Sequence, residues 1–214
     1  MTSLSNLSAE SLVFLDALDA TTKNWSTLRW RGYRIQQNIL DLWEIQEALT
    51  LVNPALLIET GTKYGGSAVF YADVFRLLGS NGRVRTIDKA PQCSFTDPRI
   101  DFVTGHSTDP DIVREAAEKA RDADGPVVVI LDSGHSEAHV FQEMTLYGPM
   151  VKEGSFMLVQ DGVIDLMPRF AGVRPGPLRA IMEFQKTHPE FVYETRNKFL
   201  LTYHPGGWLW RKLA

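Results

Sequence analysis

Residues 58–68 read IETGTKYGGSA: an acid, Glu59, then Gly61, Gly65 and Gly66, then Ser67 at the head of a helix-like segment. Glycine tolerates positive φ and lets a backbone approach a ligand closely, and a helix start offers unpaired N–H groups. Such a turn is suited to holding a small molecule. A phosphate-binding P-loop needs a lysine and then Ser or Thr after its last glycine, whereas Gly66 is followed by Ser67 and Ala68. The dinucleotide fingerprint G-x-G-x-x-G has another spacing, and an acid ahead of its first glycine opposes a pyrophosphate. Glu59 favours a ligand with a cationic group. S-adenosylmethionine (SAM), with an ammonium, a sulfonium and no phosphate, meets that requirement. The next apolar run, RVRTID, ends in a second acid, Asp88, placed to bind both ribose hydroxyls. NAD would use Asp88 in the same way, so Glu59 and the glycine spacing carry the discrimination. The alternatives are a tight turn without ligand and, for Asp88, a cap or turn role.

Two further places carry chemistry. VVVILDSGHSEAH ends an apolar run at Asp132, with His135 three residues later at the entry to a helix. SFMLVQDG ends another run at Gln160 and Asp161. Strand ends of this kind face the ligand cleft of an open α/β sheet, which puts Asp132 near the methyl-donor end of SAM. Histidine's ordinary pKa of about 6.5 suits a general base. The competing readings are a helix-start acid for Asp132, a cap or solvated ring for His135, and an ordinary turn for Asp161-Gly162. His135 and His139 are four apart, but HSEAH is not the H-E-x-x-H of zinc proteases, so zinc is not expected. His106, His188 and His204 read as structural or surface residues. Cys93 has no basic or cysteine partner in its loop, which speaks against a nucleophile.

The elements that position these residues follow from periodicity. Apolar runs at 55–59, 83–87, 100–104, 126–131 and 155–160 read as strands. Helical spacing appears at 8–20, 39–51, 66–78, 109–122, 136–149 and 176–187. Short strands alternating with amphipathic helices form a parallel sheet covered on both faces. The tail FVYETRNKFLLTYHPGGWLWR leaves no room for a helix and reads as an antiparallel pair at 191–196 and 199–204, extended by 207–211. The expected fold is a Rossmann-like, doubly wound α/β sheet with an antiparallel C-terminal hairpin. Residues 1–52 form an N-terminal helical extension or lid, and 53–214 the SAM-binding part of the same domain. A net charge of −4 without a basic run excludes nucleic acid as an expected partner. The single cysteine precludes an internal disulfide and suits the cytoplasm. The start MTSLSNLSAE lacks the regions of a signal peptide. Apolar runs such as Val127–Leu131 are too short to span a bilayer, so no membrane role is expected.

LLIETGTKYGGSAVFYADV resembles the first motif of class I SAM-dependent methyltransferases, and most closely the cephalosporin-hydroxylase-like and rhamnosyl O-methyltransferase-like family. GYRIQQNILDLWEIQEAL, VTGHSTDP, the stretch from VVVILDSGHSEAH to VQDGVI, and the tail from GPLRAIMEF onward agree with it in order, over about residues 30–211. The resemblance implies seven strands, the last antiparallel. As in the similar catechol-type O-methyltransferases, it implies a divalent cation such as Mg²⁺ at Asp132, Gln160 and Asp161, with His135 as base. It places Ser107 on the adenine-side wall, where Ser107 or Thr108 also suits a helix N-cap. It implies a homo-oligomer. The family usually has Glu-Asp where this chain has Gln160-Asp161, and Gln160 brings an oxygen without a charge. Trp25, Trp30, Tyr33 and residues 167–170 are expected either to wall the acceptor or to pack. The expected activity is SAM-dependent methylation of a small molecule of secondary or antibiotic metabolism, at a sugar or aromatic hydroxyl. The alternatives are metal-free C- or N-methylation of an aromatic heterocycle such as an indole, an NAD-dependent oxidoreductase, and a non-catalytic SAM-binding accessory protein.

Overall fold

The computed structural model describes residues 7–22, 24–194 and 201–213; the side chains of 21–25, Trp25 among them, lie outside this description. The chain begins with α1 (Ala9–Thr22), α2 (Asn24–Thr27) and a two-stranded ribbon, β1 (Arg29–Trp30) and β2 (Tyr33–Arg34). Arg31 and Gly32, both at positive φ, make its two-residue turn. Trp30 pins the ribbon down: its ring packs edge-on against Phe70 and its indole N–H donates to Asp73. There follow α3 (Ile39–Val52), β3 (Leu56–Thr60), α4 (Gly66–Leu77), β4 (Arg83–Asp88), β5 (Ile100–Thr104), α5 (Pro110–Asp122), β6 (Val127–Leu131), α6 (Glu137–Tyr147), β7 (Phe156–Val159), α7 (Pro177–Gln185), β8 (Phe191–Tyr193) and β9 (Trp208–Arg211). The sheet order is β5-β4-β3-β6-β7-β9-β8, with β5 to β7 parallel and β9 antiparallel to both neighbours.

Strands β3, β6 and β7 are buried along their whole length, which is why they read as unbroken apolar runs. Side chains alternate between two cores. Leu57, Val128, Ile130 and Leu158 meet α3 and α4, whereas Leu56, Ile58, Val129 and Met157 meet α5, α6 and α7. Helix α4 is buried from Gly66 to Phe75, because α3 and the ribbon cover the face that the sheet does not. Chain direction across the sheet reverses between β3 and β6, so the loops leaving these strands part and open a cleft at their carboxyl ends.

Two expectations are corrected. The strand partner of β8 is β9 at 208–211, not 199–204; residues 201–204 form no strand, and 199–200 lie outside the described residues. The polar groups of 202 and 203 are committed elsewhere, to Asp41 on α3, by the Thr202 hydroxyl and the Tyr203 N–H. Helix α5 is capped by Asp109, whose side chain accepts from the Asp111 N–H, with Pro110 behind it, rather than by Ser107 or Thr108.

Candidate active site

The cleft holds a cavity of about 670 Å³, lined by residues leaving β3, β4, β5, β6 and β7 together with 34–37 from the N-terminal segment. That volume suits a cofactor-sized ligand. Gly61, at φ 103, lies so close to β6 that a Cβ would stand 1.9 Å from the Asp132 carbonyl oxygen. At Gly66 a Cβ would stand 2.2 Å from the Arg34 carbonyl oxygen. Both glycines therefore bring protein segments together around the cavity as well as leaving room for a ligand. Gly61→Ala is expected to cost at least about 2 kcal/mol in denaturant unfolding, since backbone must move and φ becomes strained.

Glu59, at the end of β3, is fully buried. Its Oε2 accepts from the Thr86 hydroxyl at 2.5 Å, and the Thr86 and Thr62 hydroxyls lie 2.6 Å apart. Its Oε1 has no hydrogen-bond partner among the described residues. Burial pushes its pKa up to about 7, aided by the charge of Asp88 and opposed by the hydroxyls of Ser67 and Thr86. Glu59 does not line the cavity; Ser67 and Gly66 do. Gly65 forms the left-handed cap of α4, at φ 75, and packs on Phe95 rather than the cavity. Asp88 lines the cavity at the end of β4, its oxygens fixed by the N–H groups of Lys63 and Ala90, each at 2.8 Å. Ser107 lines it after β5, its carbonyl held by the Tyr147 hydroxyl at 2.6 Å.

At the other end of the cavity, Asp132, His135 and Asp161 offer ligand atoms that all lie within 4.8 Å of one another. His135 Nε2 is 3.4 Å from Asp161 Oδ2. The cap of α6 is Ser136, so His135 is free of that duty. Burial, then the charges of Asp161 and Glu59, hold the Asp132 carboxyl well above its usual range, against the hydrogen bond from Gln37.

Gln160 follows β7, next to Asp161. It is 2% exposed and does not line the cavity. Its Oε1 accepts from the Gln37 amide at 2.7 Å, and the same amide nitrogen donates to Asp132 Oδ2 at 2.9 Å. Gln37 was not singled out by the sequence; no motif marks a residue whose partner is 95 positions away. Gln37→Leu strands the buried Gln160 oxygen and takes a donor from the half-buried Asp132, and is expected to lower unfolding free energy by about 1–3 kcal/mol, read from denaturant titration. The loop after β6 has its own brace, also unforeseen. The Ser133 hydroxyl donates to Glu143 at 2.7 Å and lies 2.8 Å from His139 Nε2.

Of the expected acceptor wall, Trp30 and Tyr33 pack against Phe70 and Phe95, and Met167 is buried with Leu15 and Val163. Arg169 pairs with Asp19 and lies over Phe170. None of these lines the cavity; Arg34, stacked 4.1 Å over Tyr64, and Gln36 do.

The chain thus has a seven-stranded, Rossmann-like sheet with an acid on β4 and carboxylates following β6 and β7 around one cavity. The chain belongs to the Rhamnosyl O-methyltransferase/CmcI family, which residues 22–212 match. The rhamnosyl O-methyltransferase of Mycobacterium bovis (strain BCG / Pasteur 1173P2) is 34% identical over 194 residues, covering 87% of this chain and 79% of that protein. The 8-demethyl-8-alpha-L-rhamnosyl tetracenomycin-C 2'-O-methyltransferase of Streptomyces olivaceus is 29% identical over 123 residues, 57% of this chain and 30% of that one. The solved structure of CmcI with Mg and SAM has a TM-score of 0.69 at 21% identity, covering 88% of this chain and 78% of that one. The protein is a SAM-dependent methyltransferase.

Proposed function

We propose that the protein methylates a hydroxyl of a rhamnose-type sugar carried by a small molecule of secondary metabolism. The convergence of Asp132, His135 and Asp161 at one end of a cavity whose other end carries Asp88 and Ser107 supports this reading most directly. The names of the mycobacterial and Streptomyces relatives supply the sugar. Asp88 takes the ribose hydroxyls, Ser107 the purine edge, and Glu59, beneath Ser67, favours the cationic methionine end. The donor set also fits a divalent cation such as Mg²⁺, with Asp132 and Asp161 as oxygen ligands; bound there, it lowers the pKa of the acceptor hydroxyl. His135, oriented by Asp161, accepts the hydroxyl proton. The acceptor oxygen forms its bond to the methyl carbon as the carbon–sulfur bond breaks, and the electron pair stays on sulfur, leaving neutral S-adenosylhomocysteine (SAH).

The test is methyl transfer from labelled SAM to rhamnosides, catechols and indoles, with Mg²⁺ or EDTA. Label on a rhamnose hydroxyl, lost with EDTA, supports the proposal. EDTA-insensitive label on an indole carbon or nitrogen, with none on rhamnosides, overturns it.

We also propose a cytoplasmic homo-oligomer. The exposed Val13 and Phe14 on α1 and Ile39 and Trp43 on α3 support an interface between copies, and light scattering of the purified protein tests it. Among the described residues no helix is long and apolar enough to cross a membrane.

A further inference from the structure

Asp161 stands in the left-handed region, at φ 59 and ψ 28. A residue with a side chain keeps that conformation when its surroundings impose it. The imposing contact comes from the tail: the Asp161 N–H donates to His204 Nδ1 at 3.1 Å. His204 is 2% exposed and does not line the cavity. Because Nδ1 accepts, the hydrogen bond assigns the neutral tautomer with its proton on Nε2. Nε2 lies 3.7 Å from Asp41 Oδ2, beyond hydrogen-bond reach, and has no hydrogen-bond partner among the described residues. The ring is located by its own backbone. The His204 N–H donates to the Thr202 hydroxyl oxygen at 2.9 Å, and that hydroxyl donates to Asp41. The Tyr203 N–H donates to the second Asp41 oxygen at 2.9 Å. Asp41 is itself 1% exposed on α3. On the far side, Gly162 lies so close to the Pro205 carbonyl oxygen that a Cβ would stand 2.5 Å from it. Helix α3, the tail and the end of β7 are thus locked together behind Asp161.

We propose that His204 is a positioning residue for methyl transfer, a role that rests on Asp161 belonging to the reaction centre. Its ring sets the backbone of Asp161 so that the carboxylate faces His135 and Asp132. An apolar ring would fill the same space but could not accept the Asp161 N–H. That half-buried donor would lose its partner, and the backbone that aims the carboxylate would be released. His204 never touches a ligand, so its loss leaves the SAM end of the cavity alone.

His204→Phe removes the acceptor and keeps the volume; His204→Asn keeps an acceptor near the place of Nδ1. Three quantities are measured on each purified chain: SAH affinity, Mn²⁺ affinity of the SAH-loaded protein, and kcat and KM for methyl transfer. His204→Phe is expected to keep SAH affinity within about twofold, to weaken Mn²⁺ by about tenfold and to lower kcat by about a hundredfold. His204→Asn is expected to recover most of both losses. Wild-type Mn²⁺ affinity and kcat in His204→Phe overturn the proposal, as does an Asn variant that folds, binds SAH and loses as much as Phe. Should His204→Phe not fold, the Asn variant decides alone. The proposal then requires a kcat within about tenfold of wild type, and a larger loss at unchanged SAH affinity rejects it. Asp161→Asn separates the two ideas. Full activity and Mn²⁺ binding in that variant would remove Asp161 from the reaction centre, whatever His204 does.

Discussion

His135→Ala is expected to lower kcat for methyl transfer by about a hundred- to ten-thousand-fold while SAH affinity stays unchanged. The imidazole lines the cavity beside Asp132 and Asp161, and Asp161 Oδ2 at 3.4 Å orients it. The same carboxylate stabilises the imidazolium formed when the acceptor hydroxyl gives up its proton. Asp88 and Ser107, the proposed ribose and purine contacts, line the cavity on the side of β4 and β5, so the cofactor should not register the change. Single-turnover methyl transfer, with SAH calorimetry on the same preparation, checks the result. Activity equal to wild type would remove His135 as the base.

Glu59→Gln is expected to weaken SAM and SAH binding at least tenfold at pH 8, about 1.4 kcal/mol. Glu59 is raised to about 7 by burial within the protein when no ligand is bound. A cationic ligand favours its charged form, so binding releases a proton whenever Glu59 starts protonated. Wild-type affinity should therefore fall as pH drops through 7, by at most about tenfold per unit, and the Gln variant should lack this dependence. The effect on the empty protein has the opposite direction. A carboxyl whose folded pKa exceeds its unfolded value stabilises the fold below the unfolded pKa and loses that contribution as pH rises through the folded one. With 4.5 rising to about 7, the window is pH 4.5 to 7 and the loss is up to about 3 kcal/mol. Glu59→Gln should consequently be more stable than wild type at pH 8 without ligand, and this difference should shrink towards pH 5. Denaturant titration at the two pH values tests the stability arm, and calorimetry the binding arm. Unchanged SAM affinity in the variant contradicts the assignment of this pocket.

The parallel part of the sheet was legible because burial on both faces demands unbroken apolar runs, and β3, β6 and β7 have them. Asp88, Asp132 and Asp161 were legible because strand ends of an open α/β sheet converge on one cleft. The last strand was harder. Residues 201–204, LTYH, alternate as a strand would, but Thr202 and Tyr203 give their polar groups to Asp41, 161 and 162 positions away, and no local pattern announces such a bond. Gln37 and His204 escaped for the same reason: each acts on a strand-end acid through a contact that exists only once the chain has folded. Gln160 shows the converse. Its position at a strand end pointed towards the cavity, yet the Gln37 amide holds its oxygen within the protein. Trp30 and Tyr33 had aromatic character suited to a ligand wall, and the close aromatic neighbours Phe70 and Phe95 claimed them for packing.

The most direct measurement is calorimetric titration of EDTA-treated protein with SAH, repeated with Mg²⁺ and then with NAD in place of SAH. The cavity bounded by Asp88, Ser107, Asp132 and Asp161 predicts micromolar SAH binding, a further Mg²⁺ signal in the SAH-loaded protein, and no binding of NAD. Absence of SAH binding, or NAD binding in its place, contradicts the account.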